Sequence, residues 1–410
     1  MRTIRTLMAS ALVAGALIAP NMVAGAGEKA KQPKVETSKN VKLLDNIAYD
    51  GGTELARSGK YIYTGELNGA APSPSRGTKP DEGGLHIIDV SGKTPKEVGF
   101  LHCPGNDNDV EVVKPGLVTM SFATNKCAPT AGTGLMTIDV SNPRKPKILG
   151  MVNTGSGHTH KPVPGTSLIY MAVGNLTGSA SRNVTIVDVK DPRNPKVAGE
   201  ATGVMDCHDV SFLMTKDKKL GICAGAVGTG ETQIWDMSDP MKPVVVGRIF
   251  NPLIQYSHYG VVSSDGNVLA IDDEAFAAHD CNTGQSPTGR VWIYDISNPA
   301  TPIPQGSMAA PRGGGGGANV GTFPGWAPSW CLSHGLDWQP GTRNLGVTWF
   351  TGGWSVLDVS NPMSPTEVAW GKSENASTYS ILWAEKGDTV YTNDFSHGFD
   401  AFNISGLPKK

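Results

Sequence analysis

Seven near-copies of one short phrase constrain this chain more than any other feature. "LHIIDVSGKTP", "LMTIDVSNPRKP", "VTIVDVKDPRNP", "TQIWDMSDPMKP", "VWIYDISNPATP" and "WSVLDVSNPMSP" each end an alternating apolar run in Asp and then turn to Pro, and "GFDAFNIS" is a degenerate seventh copy. Aligning Asp89, Asp139, Asp188, Asp236, Asp295, Asp358 and Asn403 gives spacings of 50, 49, 48, 59, 63 and 45 residues. A period near 50 residues fits one four-stranded propeller blade per repeat and is too long for a solenoid coil.

Each copy divides into strands by the same rules. In the fourth, His208 to Met214 is an inner strand, "KDKK" a turn, and Leu220 to Ala224 the second strand. Thr232 to Asp236 is the third and Val244 to Gly247 the outer one. The Asp-x-Ser-x-Pro turn has a local cause: Asp and Ser side chains cap nearby backbone N–H groups, and Pro fixes φ. The last copy stops after three strands, while "VKLLDNIAY" ahead of the first resembles an outer strand. The expectation is therefore an all-β fold. Residues 41–410 form a single seven-bladed β-propeller of four-stranded blades, closed by the N-terminal strand so that no sheet edge stays open.

These repeats resemble the LVIVD-repeat family of exported bacterial proteins, and the match runs on through "VTWFTGGWSVLDVSNP" and "VYTNDFSHGFDAF". The resemblance implies a β-propeller and no particular reaction.

The segment before the repeats carries Arg2 and Arg5, the apolar "LMASALVAGALIAP", and Ala24-Gly25-Ala26. It is expected to be a signal peptide, residues 1–26, followed by a disordered leader over 27–40. No later apolar run approaches the roughly 20 residues of a membrane span. The expected location is periplasmic or extracellular. A formal net charge of −2 excludes electrostatic capture of nucleic acid.

If inner strands run down from a top face, that face collects the chemistry. His158, His160, His208, His258 and His334 lie at or near the starts of inner strands, with Asp109 and Asp209. Asp273, Glu274 and Asp394 reach the same face from the ends of second strands, and Trp326 and Trp330 from a long inserted loop. "SGHTH" is the best local metal candidate, since His158 and His160 point the same way on a regular strand. The plainer reading is that each histidine caps a loop within its own blade.

Six cysteines in an exported chain point first to disulfides, with 15 possible pairings. Strand order narrows them to Cys103 with Cys127, Cys207 with Cys223 and Cys281 with Cys331, so Cys207 is a staple rather than a nucleophile. Two functions remain. One is an exported binding protein whose top face recognises a protein, a glycan or a small-molecule ligand. The other is a metal-dependent hydrolase or oxidoreductase, with histidines holding a divalent ion and a carboxylate as base.

Overall fold

The computed structural model describes residues 34–49, 51–66, 83–103, 109–123, 127, 132–155, 157–172, 184–225, 230–274, 289–312, 331–374 and 376–409. The expected signal peptide lies outside them. Within them the repeated aspartate does one local job six times. Asp89, Asp139, Asp188, Asp236, Asp295 and Asp358 each accept the backbone N–H two residues on, at 2.8–2.9 Å. In blades two to six a second Asn or Asp repeats the capping, as Asp239 does for Met241. The chain therefore turns sharply from the third strand into the outer one.

The strands form seven antiparallel sheets arranged as the blades of a β-propeller. Their inner strands are Gly52–Ser58, Val110–Lys114, Thr159–Pro162, Cys207–Met214, Ser257–Val262, Leu336–Trp338 and Thr378–Trp383. Apolar side chains fill the space between successive sheets. Ile222 and Ile234 of blade four, for example, pack with Leu269 and Ile271 of blade five, all buried. Such burial is worth about 1.5–3 kcal/mol per side chain.

What sets the distance between blades is a glycine. In the outer strands of blades one and four, a Cβ on Gly99 would lie 1.7 Å from the Pro143 carbonyl oxygen, and one on Gly247 1.9 Å from that of Pro299. In these two places the proline turn of the following blade is thus seated directly on the backbone of the blade before it. The equivalent outer-strand positions in blades six and seven, opposite Val356 and Ala401, are Ala369 and Asp45. The turns that follow those two strands, "NISGLP" and "DVSGKTP", lack the proline at that place.

The N-terminal strand Val41–Ile47 pairs with Gly398–Ile404 and completes blade seven. Side chains lock the seam: Tyr49 donates its hydroxyl to Asn393 at 2.8 Å, and the Asn393 amide donates to the Thr53 carbonyl at 2.9 Å. One expectation needs correction. Val35–Thr37, within the stretch assigned to a disordered leader, pairs with Thr366–Ser373 as a fifth strand on blade six. The exposed edge of that blade supplies backbone partners that the sequence of the leader does not reveal.

Two buried histidines brace blades one and seven. His86 sits between Glu97 at 2.7 Å and Glu66 at 3.2 Å, stacked on Tyr49. His397 sits between Asp400 at 2.7 Å and Asp394 at 3.1 Å. Burial opposes charge on both rings, yet the paired carboxylates outweigh it and hold His86 up to about 9 and His397 up to about 10.

Gly247→Ala is expected to cost about 1–3 kcal/mol, because overpacking forces the seated turn away; an unchanged urea midpoint would contradict the seating. The histidine braces have raised folded-state pKa values. Their stabilisation is therefore complete below the unfolded histidine range near 6.5 and is lost as pH rises through about 9 to 10. The gap in unfolding temperature between wild type and His397→Gln should be widest at about pH 6.5 and just below, narrow as pH rises, and close above pH 10. A gap independent of pH would remove the charge argument.

Candidate functional site

The inner strands of four blades begin with a break in register: between Gly52 and Leu55, Cys207 and Asp209, Ser257 and Gly260, and Thr378 and Ser380. Such bulges re-aim side chains, and here the skipped residues are Thr53, Glu54, His208, His258, Tyr259 and Tyr379. Each is thereby freed from the alternation of its sheet. His158 and His334 lie just ahead of their ladders instead. At the upper mouth these four histidines form a row of rings. His158 and His208 have centroids 4.6 Å apart, His208 and His258 4.4 Å, and His258 and His334 4.3 Å.

The rings are tied at one nitrogen. His208 Nδ1 donates to the His258 carbonyl at 3.3 Å, and His334 Nδ1 to the Tyr379 carbonyl at 2.9 Å. His258 Nδ1 lies 3.2 Å from the Asp272 carboxyl, which also accepts the Tyr259 N–H at 2.6 Å. Only the His258 contact stays within its own blade; the other two reach the next one. With Nδ1 engaged, Nε2 is the free lone pair. His258 Nε2 lies 3.6 Å and His334 Nε2 3.8 Å from the two oxygens of Glu274. His208 Nε2 accepts from His158 Nε2 at 2.8 Å. The ligating atoms of His208, His258 and Glu274 fall within 4.8 Å of one another.

Burial dominates the electrostatics. It lowers His158 to about 4, pushes His208 and His334 well below the usual histidine range with help from His258, and raises Glu274 to about 7. The His158, His208 and His334 imidazoles are neutral at pH 7.

His160 does not join the row. It is paired in register with Met171, so it obeys the alternation of its sheet and turns into the wall between blades two and three. There its Nε2 meets Thr119 Oγ1 at 2.8 Å and its Nδ1 lies 3.3 Å from Asp109. The expectation that His158 and His160 share a direction fails because His158 precedes the ladder, which starts at Thr159.

The acidic candidates separate by role. Asp273 accepts the Gln255 and Tyr256 amides at 3.0 and 2.9 Å and that of Gly289 at 2.8 Å. Asp394 does the same for Ser377 and Ser396. Both pin loops rather than face the row. Asp109 accepts the His160 N–H at 2.7 Å. Asp209, raised to about 7 by burial, accepts the Val210 amide. Trp326 and Trp330 lie outside the described residues.

Cysteines brace the same mouth. Cys103 is bonded to Cys127 and Cys207 to Cys223. Cys331 is also disulfide-bonded, while Cys281 lies outside the described residues. The sequence reading missed Phe350. Buried and at φ 45°, it is the one positive-φ non-glycine among the described residues, and its ring lies 4.8 Å from that of His334. Its carbonyl accepts both the Gly353 and Thr378 amides, so a strained turn supports the last histidine. The two glycines of "FTGGW" were the available signal.

A family model described as the LVIVD repeat matches residues 130–154, 289–309 and 347–370. No curated protein matches the chain. Among solved structures, the β-propeller domain of Myceliophteria thermophila Cps50 (Swd1) is similar at 8% identity. That likeness covers 88% of this chain and 99% of that one, with a TM-score of 0.58. Saccharomyces cerevisiae Sqt1 shares 10% identity over 88% and 87%, with a TM-score of 0.49. At 8% identity the first likeness speaks to the fold alone.

Cys207 adjoins His208, and its bond to Cys223 spans a sequence separation of 16. Replacing both cysteines with alanine is expected to cost about 3 kcal/mol through the longer-lived freedom of the unfolded loop. Denaturant titration checks this, and an unchanged midpoint would show that the bond does not brace the strand.

Proposed function

We infer that this LVIVD-repeat β-propeller is a binding protein whose upper channel mouth holds a transition-metal ion. Tautomer control carries the reading. Three histidines from blades four, five and six engage Nδ1 with a carbonyl or a carboxyl, as metal-ligating histidines do. Their remaining nitrogens face one another and Glu274. The separations of 3.6 and 3.8 Å from Glu274 compare with about 3.3 Å between ligands of a tetrahedral ion at bonds of about 2.0–2.1 Å. A small inward movement therefore reaches bonding distance. Imidazoles with one carboxylate suit zinc, copper, nickel or iron rather than magnesium or calcium. His158, the fourth ring, gives up its hydrogen bond to His208 when the ion binds.

An ion held by three histidines and one carboxylate is four-coordinate and would expand to five to take a further ligand from the mouth. A small molecule, or a side chain or glycan group of a partner, is what this face would recognise. Binding needs no residue beyond these, so it is preferred here to a hydrolase or oxidoreductase. The reading places the protein outside the cytoplasm, supported by the disulfides at Cys103 and Cys207.

The test is elemental analysis of protein purified without a histidine tag and exposed to zinc or copper, compared with His208→Ala and His258→Ala. One tightly held ion per chain is expected in the wild type, with at least about tenfold weaker binding in each variant. A folded wild type that retains no ion, or folded variants that retain it equally, would sink the proposal.

A further inference from the structure

The opposite mouth of the channel holds a cavity of about 560 Å³, lined by inner strands of blades two to six and the turns that follow them. That volume lies within the usual range for small-molecule sites, about 300–1,000 Å³. Its walls are about as polar as they are apolar, and the apolar part includes Val112, Phe212, Val261 and Trp338. The Trp338 indole is fixed by donating to the Val261 carbonyl at 3.1 Å. Against these walls stand a few polar groups: Glu111, Lys161, Tyr259 and Asp337.

The sign of the ligand follows from how those groups are paired. Lys161, the only cationic side chain among the described residues that line the cavity, is ion-paired with Glu111, and its ammonium lies 5.5 Å from the centroid of the Tyr259 ring. Its charge is thus already answered and offers little to an anion. Asp337 makes no such ion pair with a described residue. Its carboxyl accepts the Trp383 N–H at 2.7 Å, which fixes it, and burial raises it to about 7. A cation bound beside it favours the ionised form, and the neighbouring aromatic faces favour a cation as well.

We propose that this lower cavity binds a small organic ammonium ion, its nitrogen at Asp337 and its apolar body against Phe212, Val261 and Trp338. The ammonium donates a charge-assisted hydrogen bond to the Asp337 carboxylate, within the same cavity as the Tyr259 ring. A neutral analogue keeps the apolar contacts and loses the charge. An anionic analogue meets Asp337 and is rejected.

Titration calorimetry with 2-phenylethylammonium, 2-phenylethanol and phenylacetate tests this on the whole protein. The ammonium is expected to bind at least about tenfold tighter than the alcohol, and phenylacetate not to bind. Asp337→Asn, which keeps an oxygen for the Trp383 amide, should abolish the preference and leave the alcohol's affinity unchanged. Val112→Trp should narrow the cavity and weaken binding of all three, which serves as the second arm if the asparagine variant does not fold. The proposal is overturned if no probe binds, if phenylacetate binds as well as the ammonium, if the preference survives in folded Asp337→Asn, or if all three affinities are unchanged in folded Val112→Trp.

Discussion

The seating of a proline turn on a backbone that has no side chain sets the geometry from which the rest of this molecule follows. Where Pro143 and Pro299 press their carbonyls onto Gly99 and Gly247, the interval between blades is fixed by atomic contact and does not depend on how the loops happen to lie. Interiors are close-packed and do not deform smoothly. A fixed interval, repeated round the ring and sealed by Val41–Ile47, leaves a channel of set width whose lining is the start of each inner strand.

That interval explains the spacing of the histidines. His158, His208 and His258 are 50 residues apart in sequence, and His334 follows 76 residues after His258. The ring centroids are nevertheless nearly evenly separated, at 4.6, 4.4 and 4.3 Å. The longer interval is taken up between Val268–Asp273 and Val291–Asp295 and between Ile303–Met308 and Leu336–Trp338, while the strands keep their places. Four bulges then turn side chains out of their sheets into the channel.

The channel is a polar interior inside an apolar ring, and its two ends differ in kind. At the upper mouth, burial keeps His158, His208 and His334 neutral and presents lone pairs. At the lower mouth the charges are carboxyls and one lysine already paired with Glu111. Neutral nitrogen donors suit a metal ion, whereas a buried carboxyl that shares a cavity with aromatic rings suits an organic cation. The same scaffold thus offers two chemistries, separated by the length of an inner strand.

The sequence by itself determined whatever rests on local rules. Seven repeats, the aspartate turns and the incomplete last copy specify blade number and closure, because period-two strands and capped turns are properties of short segments. Strand order likewise brought Cys207 opposite Cys223 and Cys103 opposite Cys127. Tertiary structure alone decided where the histidines point. His160 and His208 both lie near the start of an inner strand, but a regular ladder buries the first between blades and a bulge frees the second from its sheet. Phe350 at positive φ, the strand at Val35–Thr37 and the lower cavity were hidden for the same reason. Each arises from contact between segments far apart in the chain, and no window of sequence contains both sides of such a contact.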